Sequence, residues 1–232
     1  MPMTASLHLT SGHIARVHRD MADPGPLPDM ELLTDADYAS FVEHVLNGWR
    51  GGPLTVFSYG SLIWKPAFVP ASVTRATAHG WHRAFCLRVM RFRGTIDQPG
   101  LMMQIDRGGL CEGMLQTIRS GTEARTLDIL FRREMTVKPA SQLPEWIDVE
   151  TADGPARAVA FVANTSSPNY LGTIDPDEIA RRLASACGHW GSGADYLLQT
   201  VLALETNGIH DPYLWDLQKR VAAAIEQIHP DV

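Results

Sequence analysis

Apolar residues first recur at helical intervals after residue 34. Thr34 is a residue type that often caps the N-terminus of a helix, and the stretch "TDADYASFVEHVLNGW" begins there. Five apolar residues of this stretch share one helical face: Tyr38, Phe41, Val42, Val45 and Trp49. The pattern predicts one helix between residues 34 and 49.

From residue 54 onward the apolar residues instead form the short runs typical of β-strands. Such runs cover residues 54–59, about 72–90, 101–106, 110–118, 146–151 and 156–163. The pair Asp153-Gly154 separates the last two runs and favours a β-hairpin turn. The middle of the chain is therefore predicted to form a β-sheet.

Helical spacing returns near residues 122–135 and dominates the last third, at about 176–187, 193–206 and 211–228. Gly188 is expected to close the first of these last three helices, and Asn207-Gly208 the second. Strands and helices do not alternate regularly, which disfavours a doubly wound parallel sheet. The expected fold class is α+β, with a mixed, barrel-like β-sheet and surrounding helices.

The N-terminal part differs in texture from the rest. The stretch "ADPGPLPDM" is rich in Pro and Gly and cannot continue a helix. Residues 1–50 are therefore predicted to form an N-terminal extension with one helix, and residues 51–232 a single domain.

Composition and charge narrow the class of protein. Of the 232 residues, 45% are hydrophobic and 20% charged, which is typical of a globular domain. A formal net charge of −6 argues against nucleic-acid binding. Three cysteines without C-x-x-C spacing favour a reducing compartment, and no apolar run has the length of a signal core or a bilayer span. We expect a cytoplasmic protein that binds neither nucleic acid nor membrane.

Widespread cofactor and catalytic motifs are not found in the sequence. There is no G-x-x-x-x-G-K-[ST], G-x-G-x-x-G, H-E-x-x-H or G-x-S-x-G. The nine histidines lack metal-ligand spacing, and His79 with His82 alone makes a weak zinc site. No metal and no cofactor are predicted.

The stretch "VFSYGSLIWKPAF" places a crowded turn directly after an apolar strand. Gly60 permits a tight turn and close approach of another molecule to the main chain. Successive N–H groups of such a turn can bind an anionic oxygen, Ser61 can add a hydroxyl donor, and Tyr59 an aromatic wall with a polar tip. The alternative is an ordinary strand end with Trp64 in the core.

Glu134 follows an apolar helical stripe formed by Leu127, Leu130 and Phe131. A carboxylate at this place points toward the core, where it must be paired, protonated or used in chemistry. A catalytic glutamate and a core-edge glutamate paired with an arginine both fit the pattern. Glu205 occupies a similar place, but at the end of its helix, where exposure is expected.

Arginines alternate with aromatic residues in "GWHRAFCLRVMRFRGTIDQPGLMM". Arginine pairs bidentately with carboxylates, so this local concentration in an acidic protein favours anion recognition. A solvated strand face is the alternative. The four arginines are Arg83, Arg88, Arg91 and Arg93.

Taken together, these stretches resemble the ChaC family of γ-glutamylcyclotransferases, in particular its bacterial members. The resemblance rests on "FSYGSLIWKPAF", "GWHRAFCLR", "RGTIDQPG" and "RREM", in family order and spacing, and on "PNYLG" and "DYLLQ" further on. It covers roughly residues 54–225. This chain departs from the family at Ser58 and at Leu101, where glycine and arginine respectively are common.

The resemblance implies an activity and a set of site residues. Family members cleave the γ-glutamyl bond of glutathione by internal cyclisation, which releases 5-oxoproline and Cys-Gly without a cofactor. By position, Glu134 matches the catalytic acid/base, and the turn that holds the γ-glutamyl group matches Tyr59, Gly60, Ser61 and Leu62. Arg93 and Tyr170 complete the predicted substrate-binding set.

Two other functions remain open from the sequence. One is a cyclotransferase that acts on other γ-glutamyl amines or amino acids. The other is a non-catalytic ligand-binding regulator of cation transport, a role to which an older label of the family refers. A small-molecule substrate such as glutathione or a related γ-glutamyl peptide is the expected partner.

Overall fold

The computed structural model describes residues 7–28 and 30–230. By its internal contacts the chain divides into two units. The first comprises the described residues of Met1–Leu27, Phe85–Met102 and Leu171–Val232, and the second those of Pro28–Ala84 and Met103–Tyr170.

The described residues contain seven helices and nine strands. The helices are α1 Ser11–Val17, α2 Asp35–Gly48, α3 Ser61–Trp64, α4 Glu123–Glu134, α5 Pro176–Ser185, α6 Gly193–Thr206 and α7 Pro212–Ile228. The strands are β1 Glu31–Leu32, β2 Thr55–Ser58, β3 Ser72–Val89, β4 Gly100–Thr117, β5 Val137–Lys138, β6 Gln142–Thr151, β7 Gly154–Ala163, β8 Cys187–Gly188 and β9 Gly191–Ser192.

Five strands close into a barrel in the order β2-β4-β3-β6-β7, with an additional pairing between β4 and β7. Strand β2 runs antiparallel to β4 but parallel to β7, where Val56 lies opposite Val159. The β6–β7 hairpin turns at residues 152–153, next to the predicted turn pair. A mixed, closed sheet with surrounding helices confirms the predicted fold class.

The core of the second unit lies where barrel strands meet α2 and α4. The Phe131 ring of α4 packs edge-on against Phe161 of β7, 5.9 Å between centroids, and against Phe41 of α2, 6.3 Å away. Complete burial of a large apolar side chain stabilises a fold by about 1.5–3 kcal/mol, so this layer fixes α4 firmly. Its buried members include Tyr38, Val45, Leu54, Val56, Leu62, Leu127, Leu130, Phe131, Met135, Val159 and Phe161.

The helices of the first unit begin at well-formed caps. Asp175 and Asp211 accept main-chain hydrogen bonds at the starts of α5 and α7, each followed by a proline in the first turn. Ser192 caps α6 in the same way. The C-terminal helices predicted from spacing are confirmed, because local caps and periodicity agree.

Two boundaries differ from the sequence-based expectation. Residues 101–106 and 110–118 belong to one strand, β4, since Gly108 and Gly109 adopt positive φ (103° and 73°) and bend the strand without ending it. Helix α5 ends at Ser185, before Gly188. Gly188 instead lies in β8, where an added Cβ would come within 2.4 Å of the Phe92 carbonyl oxygen.

Residues 7–28 and 30–50 contain two helices, whereas one was predicted for the N-terminal extension. Helix α2 is the predicted helix, capped by Thr34 as expected. Helix α1 is only seven residues long, too short to show a periodic pattern, and is started by a capping box between Thr10 and His13. The separation of residues 1–50 from one catalytic domain, 51–232, stays a prediction.

Within residues 7–28 and 30–230, no helix combines the length and the apolar character needed to cross a bilayer.

Candidate active site

The turn after β2 continues directly into α3. Gly60 occupies the N-cap position, its carbonyl accepts from the Ile63 N–H at 3.0 Å, and the Ser61 carbonyl accepts from Lys65 at 2.7 Å. The N–H groups of the first turn of a helix have no partner within that helix. Main-chain donors of residues 60–62 are thus not consumed by α3 itself.

Tyr59 is buried, and its hydroxyl is engaged inside the second unit. The oxygen lies 2.7 Å from the Phe161 carbonyl oxygen of β7 and 2.7 Å from the Gln104 side-chain oxygen of β4. A phenol can donate only one hydrogen bond, and here the Phe161 carbonyl accepts it. If the Gln104 amide is oriented with its NH₂ group toward Tyr59, that group donates to the phenol oxygen, and all three polar groups have a partner. The Tyr59 hydroxyl therefore ties the end of β2 to two neighbouring strands.

Glu134 is the last residue of α4 and continues its buried face. Leu127, Leu130 and Phe131 are completely buried, and Glu134 lies one helical turn beyond the last two. The side chain of Glu134 is only 17% exposed. The stripe thus brings a carboxylate to the edge of the core, as its spacing predicts.

The surroundings of Glu134 act on its pKa in opposite directions. Burial raises the pKa of Glu134 above its ordinary value, whereas the Arg133 guanidinium and the Gln142 amide partly lower it. Arg133 Nε lies 3.2 Å from Glu134 Oε1, and the Gln142 side-chain amide donates to the Glu134 main-chain oxygen. Since burial dominates, the carboxylate is a stronger base than an exposed glutamate.

The turn and Glu134 are attached to the same layer of the core. Leu62 of the turn packs in one apolar cluster with Phe131 and Met135, which flank Glu134 along the chain. The Tyr59 hydroxyl reaches the main chain of Phe161, whose ring contacts Phe131. Leu62 and two neighbours of Glu134 in sequence therefore share one apolar cluster of the second unit, and the Tyr59 hydroxyl is bonded to a residue of the same cluster.

Tyr170 also belongs to the second unit. Its hydroxyl donates to Asp106 Oδ2 at 2.5 Å. This partner on β4 fixes the orientation of the phenol.

Arg93 lies in the first unit and is 7% exposed. Its Nη1 donates to the Ser192 carbonyl at 2.7 Å and to Asp195 at 3.1 Å, and its guanidinium lies over the Tyr196 ring. Arg83 is buried as well, whereas Arg88 and Arg91 are only partly buried, so a fully solvated face does not describe Arg83 and Arg93.

Three buried amides escaped the sequence analysis. Gln104 and Gln116 on β4 and Gln142 on β6 contact Tyr59, Leu62 and Glu134 respectively. For Gln104 and Gln116 the available signal was a glutamine inside an apolar run, "LMMQI" and "GMLQT" respectively. An amide in such a place must find a hydrogen-bond partner or destabilise the strand.

A groove of about 490 Å³ runs along β3 and the β6–β7 hairpin. Thr77, Glu112 and Asp153 are among its lining residues. It contains none of the predicted site residues, and its wide, open form does not resemble an enclosed substrate pocket.

Fold and site together define an α+β barrel enzyme in which a largely buried carboxylate and a main-chain turn are both attached to one apolar cluster. The family model described as ChaC-like protein matches residues 54–224, and the chain belongs to this family. A glutathione-specific γ-glutamylcyclotransferase of Escherichia coli is 35% identical over 181 residues, 78% of each chain.

Further relatives agree with this family. The γ-glutamylcyclotransferase 2-3 of Arabidopsis thaliana is 32% identical over 72% of this chain and 87% of its own. A solved structure of a yeast γ-glutamylcyclotransferase specific to glutathione has a TM-score of 0.69 and 18% identity, covering 76% of this chain and 99% of that one. The structural similarity supports the fold.

Proposed function

We propose that this protein is a glutathione-specific γ-glutamylcyclotransferase, a lyase that converts glutathione to 5-oxoproline and Cys-Gly. The observation that carries the proposal is Glu134, a nearly buried carboxylate with a raised pKa in a chain 35% identical to a glutathione-specific enzyme. A pure binding module has no need of such a group on an apolar helix face.

The proposed reaction is an internal cyclisation. The α-amine nitrogen of the γ-glutamyl group attacks its own γ-carbonyl carbon, a five-membered lactam closes, and the amide bond to the cysteine nitrogen breaks. Because attacker and target belong to one molecule, the enzyme has to fold the glutamyl arm and move protons rather than gather two reactants. Neither a redox step nor an added nucleophile is involved.

Glu134 serves as the general base and then as the general acid. Its carboxylate accepts a proton from the substrate's amine, which must be neutral to attack, and returns one to the departing nitrogen of Cys-Gly. A raised pKa brings the carboxylate closer to the operating pH, which makes both transfers easier. The Arg133 guanidinium, which favours the ionised carboxylate, limits the rise of this pKa.

The Tyr59–Leu62 turn is the proposed cradle for the γ-glutamyl group. The N–H groups of Gly60, Ser61 and Leu62, with the Ser61 hydroxyl, are suited to hold either the α-carboxylate or the oxyanion that develops on the γ-carbonyl. Tyr170 and Arg93 stay in the proposed substrate-binding set, although each already contacts a carboxylate of its own unit.

The remaining proposals concern the cellular setting. Cys86, Cys111 and Cys187 are buried and form no disulfide bond with one another, which fits a reducing compartment. We infer a cytoplasmic enzyme without a cofactor, which acts on a small molecule and on neither nucleic acid nor membrane.

The decisive experiment compares two substrates with the purified protein. We expect 5-oxoproline and Cys-Gly from glutathione, and little 5-oxoproline from γ-glutamyl-alanine. Faster release of 5-oxoproline from γ-glutamyl-alanine would contradict glutathione specificity and favour a cyclotransferase that acts on other γ-glutamyl amines or amino acids. Binding of glutathione without any release would instead favour a regulatory ligand-binding protein.

A further inference from the structure

Buried side chains bind the main-chain carbonyls at both ends of the Tyr59–Leu62 turn. Arg83 of β3 donates from Nε to the Tyr59 carbonyl at 2.8 Å and from Nη2 to the Glu112 carbonyl. Gln116 of β4 donates its amide to the Leu62 carbonyl at 3.0 Å. Arg83 is 4% exposed and Gln116 3%, so both contacts are shielded from water.

Because the peptide bond is planar, a side chain that holds a carbonyl of the turn also fixes the direction of the main-chain N–H that follows it. A carbonyl and the N–H that follows it share one rigid trans plane and point in opposite directions. By holding the Tyr59 carbonyl, Arg83 therefore fixes the direction of the Gly60 N–H, which points away from the guanidinium.

Gln116 acts one step further along the turn. Its contact fixes the plane between Leu62 and Ile63, and the Ile63 N–H in turn donates to the Gly60 carbonyl at 3.0 Å. That bond sets the plane between Gly60 and Ser61, and with it the direction of the Ser61 N–H. Two successive donors are thus oriented from outside the turn.

The chemistry of both side chains indicates a role beyond packing. A buried guanidinium is costly unless it is hydrogen-bonded, and an apolar side chain fills the same volume without that cost. A positive charge on the Tyr59 carbonyl also polarises its peptide, which makes the Gly60 N–H a stronger donor. The Oε1 atom of Gln116 has no hydrogen-bond partner among residues 7–28 and 30–230, so its amide donor is the part in use.

We propose that Arg83 and Gln116 are positioning residues of the reaction: they orient the Gly60 and Ser61 N–H groups toward an oxygen of the γ-glutamyl substrate. Neither side chain touches the substrate. The inference rests on the proposed function, because the turn has a substrate to hold only if the cyclisation takes place.

Kinetics of four variants test the proposal. We expect Arg83→Met to lower kcat/KM for glutathione by about 10- to 100-fold, as misorientation of reacting groups does, and Arg83→Lys to recover part of the loss. Gln116→Met should cause a smaller loss of the same kind. Thr55→Val is the matched control. Thr55 lies on β2, the strand that precedes the turn, and the variant removes a partly buried hydrogen bond from its hydroxyl to the Arg157 carbonyl of β7 without touching the turn.

The distribution between kcat and KM separates positioning from general destabilisation. If kcat/KM falls only because KM rises, the oxygen held by the turn is the α-carboxylate of the bound substrate. If kcat/KM falls only because kcat falls, it is the oxyanion of the transition state. Wild-type kcat/KM in folded Arg83→Met, or a loss no larger than that of Thr55→Val at equal Tm, overturns the proposal. Should Arg83→Met not fold, wild-type kinetics in folded Gln116→Met has the same consequence.

An amide NMR spectrum of the ligand-free protein keeps this proposal separate from the proposed function. We expect the Gly60 N–H resonance to shift in Arg83→Met and to stay in place in Thr55→Val. A shift in a protein that releases no 5-oxoproline contradicts the function but not the orienting contact. An unmoved Gly60 resonance in an active protein contradicts the orienting contact alone.

Discussion

At the scale of single residues, Glu134 stands between stability and reactivity. Burial disfavours its charged form, while the proposed reaction needs that form as a base. The same group is therefore expected to weaken the fold and to enable the chemistry.

This conflict predicts a pH-dependent gain in stability for Glu134→Gln. The folded pKa of Glu134 lies above the unfolded value of 4.5, so the folded state keeps a proton that the unfolded state loses, and stability falls as pH rises above 4.5. We expect urea unfolding to show the variant more stable by about 0.5–2 kcal/mol at pH 8 and equal to wild type at pH 4. Glu43→Gln, at an exposed position, is the control. Equal stability of Glu134→Gln and wild type at pH 8 would contradict burial as the dominant influence on the pKa of Glu134.

The neighbouring arginines offer a matched pair for the pH–rate profile. Arg133 contacts the Glu134 carboxylate and lowers its pKa, whereas Arg132 pairs with Asp128 and Asp35. We expect Arg133→Gln to move the acid limb of kcat/KM to higher pH, because the variant removes a charge that favours ionisation. Arg132→Gln should leave the limb in place, and an equal shift in both variants would argue against a specific contact.

At the scale of elements, the strand β2 and its turn depend on a close approach by β4. An added Cβ at Gly113 would lie 2.6 Å from the Ser58 main-chain oxygen and 2.8 Å from the Phe57 ring. Only hydrogen fits there, and the main chain of β2 cannot withdraw without moving the turn.

We therefore expect Gly113→Ala to destabilise the protein by about 1–3 kcal/mol, as overpacking does, and to raise KM for glutathione. Thermal unfolding and steady-state kinetics measure the two effects. Gly12→Ala in α1, where the nearest atom is 3.5 Å away, is the control and should neither lower the Tm nor raise KM. A normal Tm for Gly113→Ala would show that β2 and β4 tolerate a wider separation.

Elements with local signals were predictable from the sequence, and those that depend on pairing were not. Helices α2, α6 and α7 follow from caps and periodicity, helix α4 from periodicity alone, and the β6–β7 hairpin from its turn pair. The continuous β4 was missed because Gly108 and Gly109 resemble a loop until the ladder on both sides is known.

The same limit applies to the site. Glu134 was recognisable because its apolar stripe lies within one helix. The contacts of Arg83 and Gln116 with the turn join residues 24 and 54 positions apart in sequence, so only the closed barrel reveals them.

At the scale of the whole molecule, binding of the substrate can be measured through the thermal stability of the folded protein. A ligand that binds only the folded state raises its stability by about 2.7 kcal/mol at 100 times Kd. We expect glutathione to raise the Tm of Glu134→Gln, which should bind substrate without consuming it. Cys-Gly, which lacks the γ-glutamyl group, is the control, and an equal shift with both ligands would contradict recognition of that group.

The most direct test of the account is the initial rate of 5-oxoproline release from saturating glutathione by Glu134→Gln, beside wild type. Loss of a general acid/base predicts a fall in kcat of at least about 100-fold, with a cooperative unfolding transition retained. Release at the wild-type rate by the folded variant would contradict the assignment of Glu134 as the proton-transferring group.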